Sequence, residues 1–140
     1  MSPLFKALTL VLAFSTPTLA QETAPLSFDL ELNALQATEA GCRVTFLATN
    51  KLGAPLERAA IETALFDADG AIDRIVNLDF KGLTQGKTKV LQFELADLPC
   101  TGIGRVLIND ISACEGTGLA PAACLANLKT TAKPEIDFGL

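Results

Sequence analysis

The sequence contains no histidine, tryptophan or tyrosine, and its one methionine is the initiator Met1. Without imidazole, Ser-His-Asp and Cys-His catalysis, histidine-ligated zinc or copper and imidazole proton shuttles are all excluded. Removal of Met1 with an export signal excludes methionine-ligated copper as well. Because eight phenylalanines are the only aromatic residues, aliphatic side chains must supply most of a hydrophobic core.

Basic residues are also scarce, and they form no cluster. The 140 residues carry a formal net charge of −5, from 11 Lys and Arg against 16 Asp and Glu. Nucleic acids and anionic lipids bind mainly through neutralised phosphates, so the acidic balance argues against both as partners.

The first twenty residues have the order of segments found in an export signal. Lys6 precedes an apolar run at 7–14, and small residues follow up to Ala20. We predict cleavage after Ala20, which makes residues 1–20 a signal peptide and residues 21–140 a single mature domain, periplasmic or secreted. A buried N-terminal helix or strand is the alternative. The apolar run is too short for a membrane anchor, and no membrane anchor is expected after cleavage.

Four cysteines remain after cleavage: Cys42, Cys100, Cys114 and Cys124. An even number of cysteines in an oxidising compartment predicts two disulfides. A zinc site is the alternative. It fits poorly because the spacings of 58, 14 and 10 residues contain no paired C-x-x-C unit and histidine is lacking. Oxidised cysteines without a C-x-x-C pair also argue against thioredoxin-type exchange.

Strict alternation of apolar and polar residues predicts an all-β protein. No stretch shows a long helical period and no internal repeat is visible. The predicted strands lie at about 26–33, 42–49, 59–67, 71–80, 90–95 and 103–111, with a seventh possible within 125–138. In the fourth strand, Ile72 is expected on the same face as Val76, Leu78 and Phe80, with Ile75 alone on the other.

Short strands at intervals of about ten residues predict an immunoglobulin-like antiparallel β-sandwich of six or seven strands. Residues 115–140 are expected to form an irregular or edge-strand tail, since Pro134 interrupts a strand. If every strand reverses direction, the starts of the second and sixth strands lie at the same end. That geometry favours the pairs Cys42–Cys100 and Cys114–Cys124 among the three possible pairings.

The segment Asp67-Ala68-Asp69-Gly70 resembles part of a calcium loop, with Asp73 nearby. The ligand pattern fails, because Leu65 falls at the first position and Val76 at the twelfth, where calcium loops carry oxygen ligands. An ordinary hairpin turn is favoured, with Asp-Gly supplying positive φ values. Whether a cation binds at Asp67, Asp69 and Asp73 stays open.

No other motif predicts catalysis, a cofactor or a metal. Glu31, Glu62 and Glu94 are expected as solvated charges on outward strand positions. The segment Gly102-Ile103-Gly104 precedes a strand and indicates a bulge or close backbone approach rather than a nucleotide fingerprint. Lys87 and Lys89 are typical of strand-edge charges that discourage aggregation.

Four segments resemble a group of small exported proteins of alphaproteobacteria that are often labelled only as signal-sequence domain proteins. The segments are Leu30–Asn33, Gly41–Phe46, Ala64–Gly70 and Gly104–Asn109. The resemblance spans about Leu26 to Cys114 and implies a periplasmic location and no known activity, so no functional residue carries over. The label implies a twin-arginine signal. This chain has no twin arginine, which favours the general secretory route.

These patterns predict a non-enzymatic periplasmic binding or accessory module with a protein partner. The first alternative is a carboxylate-based enzyme or a carrier of a divalent cation or other ligand. The second is an inhibitor of exported hydrolases acting through the loop Gly116–Pro121.

Overall fold

A computed structural model describes residues 17–21 and 23–140. Most of the predicted signal, residues 1–16, lies outside the described residues. In chain order the strands are β1 (Ser27–Ala37), β2 (Gly41–Lys51), β3 (Leu56–Phe66), β4 (Ile72–Leu83), β5 (Thr88–Ala96), β6 (Arg105–Glu115), β7 (Leu128–Ala132) and β8 (Asp137–Gly139). A 3₁₀ turn (Cys100–Gly102) precedes β6, and a short helix, α1 (Ala123–Ala126), precedes β7. No helix within the described ranges has the length and apolarity to cross a membrane.

The strands form two sheets of four. Sheet 1 has the order β5-β2-β1-β7, and sheet 2 has the order β4-β3-β6-β8. Their inner faces carry the buried residues, which alternate along the strands as the sequence predicts. The all-β sandwich is therefore confirmed.

An aromatic cluster centred on Phe46 joins the two sheets. The Phe46 ring lies 5.9 Å from Phe80 of sheet 2 and 6.1 Å from Phe93 of its own sheet. It also lies 5.4 Å from Phe138 of β8. The contacts of Phe46 with Phe80 and Phe93 are edge-to-face, and such contacts add about 0.5–1.5 kcal/mol each beyond the apolar area they bury. Half of the eight phenylalanines are thus concentrated where the sheets meet.

The structure differs from the prediction in its last strands. Among the described residues there are eight strands rather than six or seven, and β7 pairs in parallel with β1 while β8 pairs in parallel with β6. The chain leaves sheet 1 after β7, bends around Pro134 and enters sheet 2 as β8. Proline cannot donate a ladder hydrogen bond, so the strand breaks there. An immunoglobulin-like strand arrangement stays a prediction.

Both disulfides have the predicted partners. Cys42 of β2 is bonded to Cys100 in the 3₁₀ turn, with 4.9 Å between their Cα atoms. Cys114 of β6 is bonded to Cys124 of α1, with 6.0 Å between their Cα atoms. The first bond fastens sheet 1 to the entry of β6, and the second fastens the C-terminal tail to sheet 2.

The hairpin between β3 and β4 is confirmed, although its turn differs in detail. Gly70 N–H donates to Asp67 O at 3.1 Å, and Asp67 N–H donates to Ala71 O at 2.8 Å. Of the loop residues, only Gly70 has a positive φ, of 84°. The hairpin is therefore a three-residue type with glycine in the left-handed position, rather than a two-residue turn with two positive φ values.

A second left-handed residue, Lys81, lies in β4 at a φ of 61°. Asp79 supports it, because its Oδ1 accepts the Lys81 backbone N–H at 2.8 Å. Its Oδ2 accepts from Arg58 Nε at 3.1 Å. The pKa of the Asp79 carboxyl lies below its usual 3.8, chiefly because it accepts a hydrogen bond from the Lys81 backbone and also because of the Arg58 and Lys81 side chains. Burial acts in the opposite direction and raises the pKa.

We expect the two disulfides to contribute unequally to stability. They close loops of 58 and 10 residues, so the chain-entropy model assigns about 4 kcal/mol to Cys42–Cys100 and about 3 kcal/mol to Cys114–Cys124. Guanidinium unfolding of Cys42→Ala/Cys100→Ala and Cys114→Ala/Cys124→Ala checks this order. A larger loss from the second pair would contradict it.

The lowered pKa of Asp79 predicts a pH-dependent contribution to stability. A carboxyl whose pKa is lower in the folded state stabilises the fold above its unfolded pKa, and this contribution is lost as the pH falls through the folded value. Asp79→Asn keeps an oxygen acceptor for Lys81 but removes the charge. Urea unfolding should show it less stable than wild type at pH 7, with the difference shrinking below pH 3.8. Asp69→Asn, an exposed acid in the hairpin loop, is the control for one lost charge.

Candidate functional site

The structure gives two of the three aspartates considered as cation ligands, Asp67 and Asp73, other partners, while Asp69 lies exposed in the hairpin loop. Asp67 Oδ1 accepts the backbone N–H groups of Asp69 and Ala71, each at 2.9 Å. Asp73 Oδ2 is paired with Arg74 Nε at 2.5 Å. Within the described ranges, no group of three or more His, Cys, Asp or Glu residues could hold a metal ion. Asp67 therefore shapes the hairpin loop by binding its backbone.

The three glutamates lie on outer sheet faces and do not converge. Glu31 and Glu94 belong to sheet 1, and Glu62 belongs to sheet 2, on the opposite side of the molecule. Glu94 is paired with Arg43 at 3.2 Å, and Glu62 accepts from Asn109 at 2.6 Å. This arrangement brings no two of the three together in one cleft.

The loop considered for an inhibitor folds back on the domain. Leu119 N–H donates to Gly116 O at 3.1 Å, and the Leu119 side chain packs against the core. A Cβ added at Gly116 would lie 2.7 Å from Pro55 O, so this glycine is held close to neighbouring backbone. The geometry gives no support to a protruding inhibitory loop.

Lys89 lies at a strand edge, as the sequence indicates. Its Nζ crosses from edge strand β5 to edge strand β4 and donates to Phe80 O at 2.9 Å and to Gly82 O at 3.1 Å. At the other end of the same side, Arg74 donates to Ala96 O at 2.6 Å. Both cations donate hydrogen bonds to carbonyl groups of edge strands, which could otherwise pair with a strand of another chain.

The close backbone approach expected at Gly104 is confirmed. A Cβ at this position would lie 2.4 Å from Asp67 O. Its N–H donates to Phe66 O at 2.8 Å. This contact brings the start of β6 against the hairpin loop and places Arg105 beside Phe66.

An exposed apolar surface occupies the same end of sheet 2. We define the sheet 2 patch as Phe66, Ile72, Ile75, Arg105 and Leu107. Phe66 lies between Ile72 and Arg105, while Ala64, buried in the next row, lies between Ile75 and Leu107. Ile72 is 55% exposed and Ile75 is 54% exposed.

The sequence prediction for Ile72 is wrong. The expected inward position fails because the register of β3 and β4 shifts between Leu65 and Phe66, so that Arg74 is opposite Leu65 and Ile72 is opposite Phe66. The extra residue, Asp73, turns Ile72 to the outer face beside Ile75. The two isoleucines therefore share one surface.

Arg105 is the cation of the sheet 2 patch. Its guanidinium carbon lies 5.9 Å from the centroid of the Phe66 ring. Its Nη2 lies 3.5 Å from the carbonyl oxygen of Leu140. In the described chain, none of the ion pairs to Asp or Glu includes Arg105. Arg105 also lines a depression of about 290 Å³ together with Gly104 and Asp137.

The sheet 2 patch combines apolar and polar groups on one exposed surface. It offers apolar area at its centre, one guanidinium stacked on an aromatic ring, and carboxylates at its margin. A hydrophobic centre with a polar rim is the general composition of a protein contact surface. The sequence showed these residues but not their proximity, because that depends on which strands pair and, for Ile72, on the register shift.

Comparison with known proteins does not assign a role to this surface. No family model matches the chain, and no match is found among curated proteins or solved structures.

Proposed function

We propose that this chain is a non-enzymatic binding or accessory module of the periplasm or extracellular space, and that it binds a protein partner through the sheet 2 patch. The observation that carries the proposal is the pair Ile72 and Ile75, each more than half exposed on one sheet face. Scattered single apolar residues are normal on a protein surface, but a contiguous apolar patch indicates an interaction site.

The two disulfides support the proposed periplasmic or extracellular location. Cys42 and Cys124 have no exposed surface, and Cys114 is 8% exposed, so both disulfides include buried sulfur. Disulfides persist in oxidising compartments. The predicted signal peptide and the resemblance to exported alphaproteobacterial proteins agree with this location.

The chemistry of the patch restricts the partner. Arginine often dominates binding energy when it is desolvated at the centre of an interface, and phenylalanine is enriched in interface cores, so Arg105 and Phe66 suit a contact surface. The Arg105 guanidinium donates to Leu140 O through Nη2, and its other N–H groups suit a carboxylate. The partner would therefore present an aliphatic or aromatic side chain to Ile72 and Ile75 and an acidic group to Arg105.

Site-specific photocrosslinking in the exporting cell tests this proposal. A photoreactive amino acid replacing Ile75 should give a discrete adduct with one protein, because the patch is its contact surface. The same amino acid replacing Val90, which is 61% exposed on the outer face of sheet 1, is the matched control and should give no such adduct. Absence of an adduct at both Ile72 and Ile75 would refute the proposal.

Binding measurements with the captured protein complete the test. Ile75→Lys should weaken affinity at least about tenfold, which corresponds to about 1.4 kcal/mol. Val90→Lys should leave the affinity unchanged. Both variants should unfold within about 0.5 kcal/mol of wild type, because both side chains are exposed.

A further inference from the structure

The C-terminal tail, residues 115–140, reaches the core chiefly through one cysteine. Within the described residues of this tail, Cys124 is the only one that is buried. Each of the strands β1 to β6 contributes buried residues, whereas β7 and β8 contribute none. Cys124 is bonded to Cys114 at the end of β6, so the deepest contact of the tail is a covalent one.

The noncovalent contacts of the tail are short. β7 pairs in parallel with five residues of β1, and β8 pairs in parallel with three residues of β6. The Phe138 ring lies 5.4 Å from the Phe46 ring, but Phe138 is only partly buried. Segments with few buried apolar contacts and exposed backbone hydrogen bonds open locally at a lower free-energy cost than the core does. The tail has these properties apart from its disulfide.

The Cys114–Cys124 bond lies nearer to solvent on its β6 side. Cys114 is 8% exposed, whereas Cys124 has no exposed surface. Thiol–disulfide exchange begins when a thiolate attacks one of the two sulfurs, and the other sulfur leaves. Attack at Cys114 makes Cys124 the leaving group. Because Cys124 belongs to the tail, this step alone cuts the covalent tie between the tail and β6.

We infer that the Cys114–Cys124 bond is a redox-sensitive latch, whose reduction by a dithiol releases the C-terminal tail while the rest of the sandwich stays folded. One thiolate of the dithiol attacks the Cys114 sulfur and forms a mixed disulfide, and the Cys124 thiolate leaves and takes up a proton. The second thiol of the reductant then attacks the reductant's sulfur in the mixed disulfide and expels the Cys114 thiolate, which is also protonated. Two electrons pass from the dithiol to the protein, and the dithiol becomes a disulfide.

The Cys42–Cys100 bond is not placed to release a segment. Cys42 lies in β2, which is paired with β1 on one side and with β5 on the other. Cys100 is partly exposed, but its turn lies between the buried residues Leu98 and Ile103. Both cysteines are therefore held in place by their neighbours when this bond is broken. Their sulfurs stay adjacent and can form the bond again, whereas Cys124 departs with the tail.

Release of the tail uncovers two backbone edges. β1 loses its pairing at 28–32, and β6 loses its pairing at 105–107. Arg105 also loses the carbonyl oxygen of Leu140. Unpaired strand edges accept an extended strand from another chain. The latch therefore decides whether these two edges are closed or open, and it operates without the partner proposed for the sheet 2 patch.

Backbone hydrogen exchange, followed by mass spectrometry of peptides, tests the latch. The measured quantity is the exchange rate of β7 and β8 relative to that of β2 and β3. In Cys114→Ser/Cys124→Ser this ratio should rise at least about tenfold over wild type, because the tail opens without its covalent tie. In the matched control Cys42→Ser/Cys100→Ser the ratio should not change, because loss of that bond destabilises the domain as a whole.

Reduction of the wild-type protein repeats the test without a substitution. Dithiothreitol, a dithiol, should raise the same ratio, and early alkylation with iodoacetamide should label Cys114 and Cys124 before Cys42 and Cys100. An unchanged ratio in Cys114→Ser/Cys124→Ser, which includes loss of protection over the whole domain, would overturn the inference. An equal rise in the control variant, or earlier labelling of Cys42 and Cys100, would overturn it as well.

Discussion

Apolar packing between the two inner sheet faces is the constraint on which the rest of the molecule depends. Phe46 contacts Phe80, Phe93 and Phe138, and so connects both sheets with the C-terminal tail. Because the domain lacks tryptophan and tyrosine, it contains no larger side chain to replace this cluster. The inner faces are thus filled by core side chains, and the outer faces and sheet edges are the surfaces accessible to another molecule.

The two long sides of the sandwich are closed in different ways. On one side the C-terminal tail crosses from sheet 1 to sheet 2, held at its start by the Cys114–Cys124 bond. On the other side Lys89 and Arg74 connect the edge strands through backbone carbonyl groups. The tail also contributes β7 to sheet 1 and β8 to the edge of sheet 2 beside the sheet 2 patch, so one covalent bond supports an edge strand in each sheet.

The sheet 2 patch and the parallel tail strands arise from register rather than from motifs. A single unpaired residue, Asp73, moves Ile72 to the outer face and creates a patch from residues that alternation alone would separate. Asp29 and Lys129 are far apart in the chain and meet only because β7 pairs in parallel with β1. No local pattern indicates either event, since bulges and non-local pairings depend on contacts across the whole sheet.

The sequence by itself determined the all-β sandwich and the hairpin at Asp67–Gly70, and it favoured the two observed disulfide pairs among the three possible pairings. Each depends on alternation, turn chemistry or strand direction, which short stretches of chain express directly. Only the tertiary structure decided the parallel tail strands and the orientation of Ile72. Both features follow from pairing between segments that are distant in the chain, and the periodicity of a single strand does not encode that pairing.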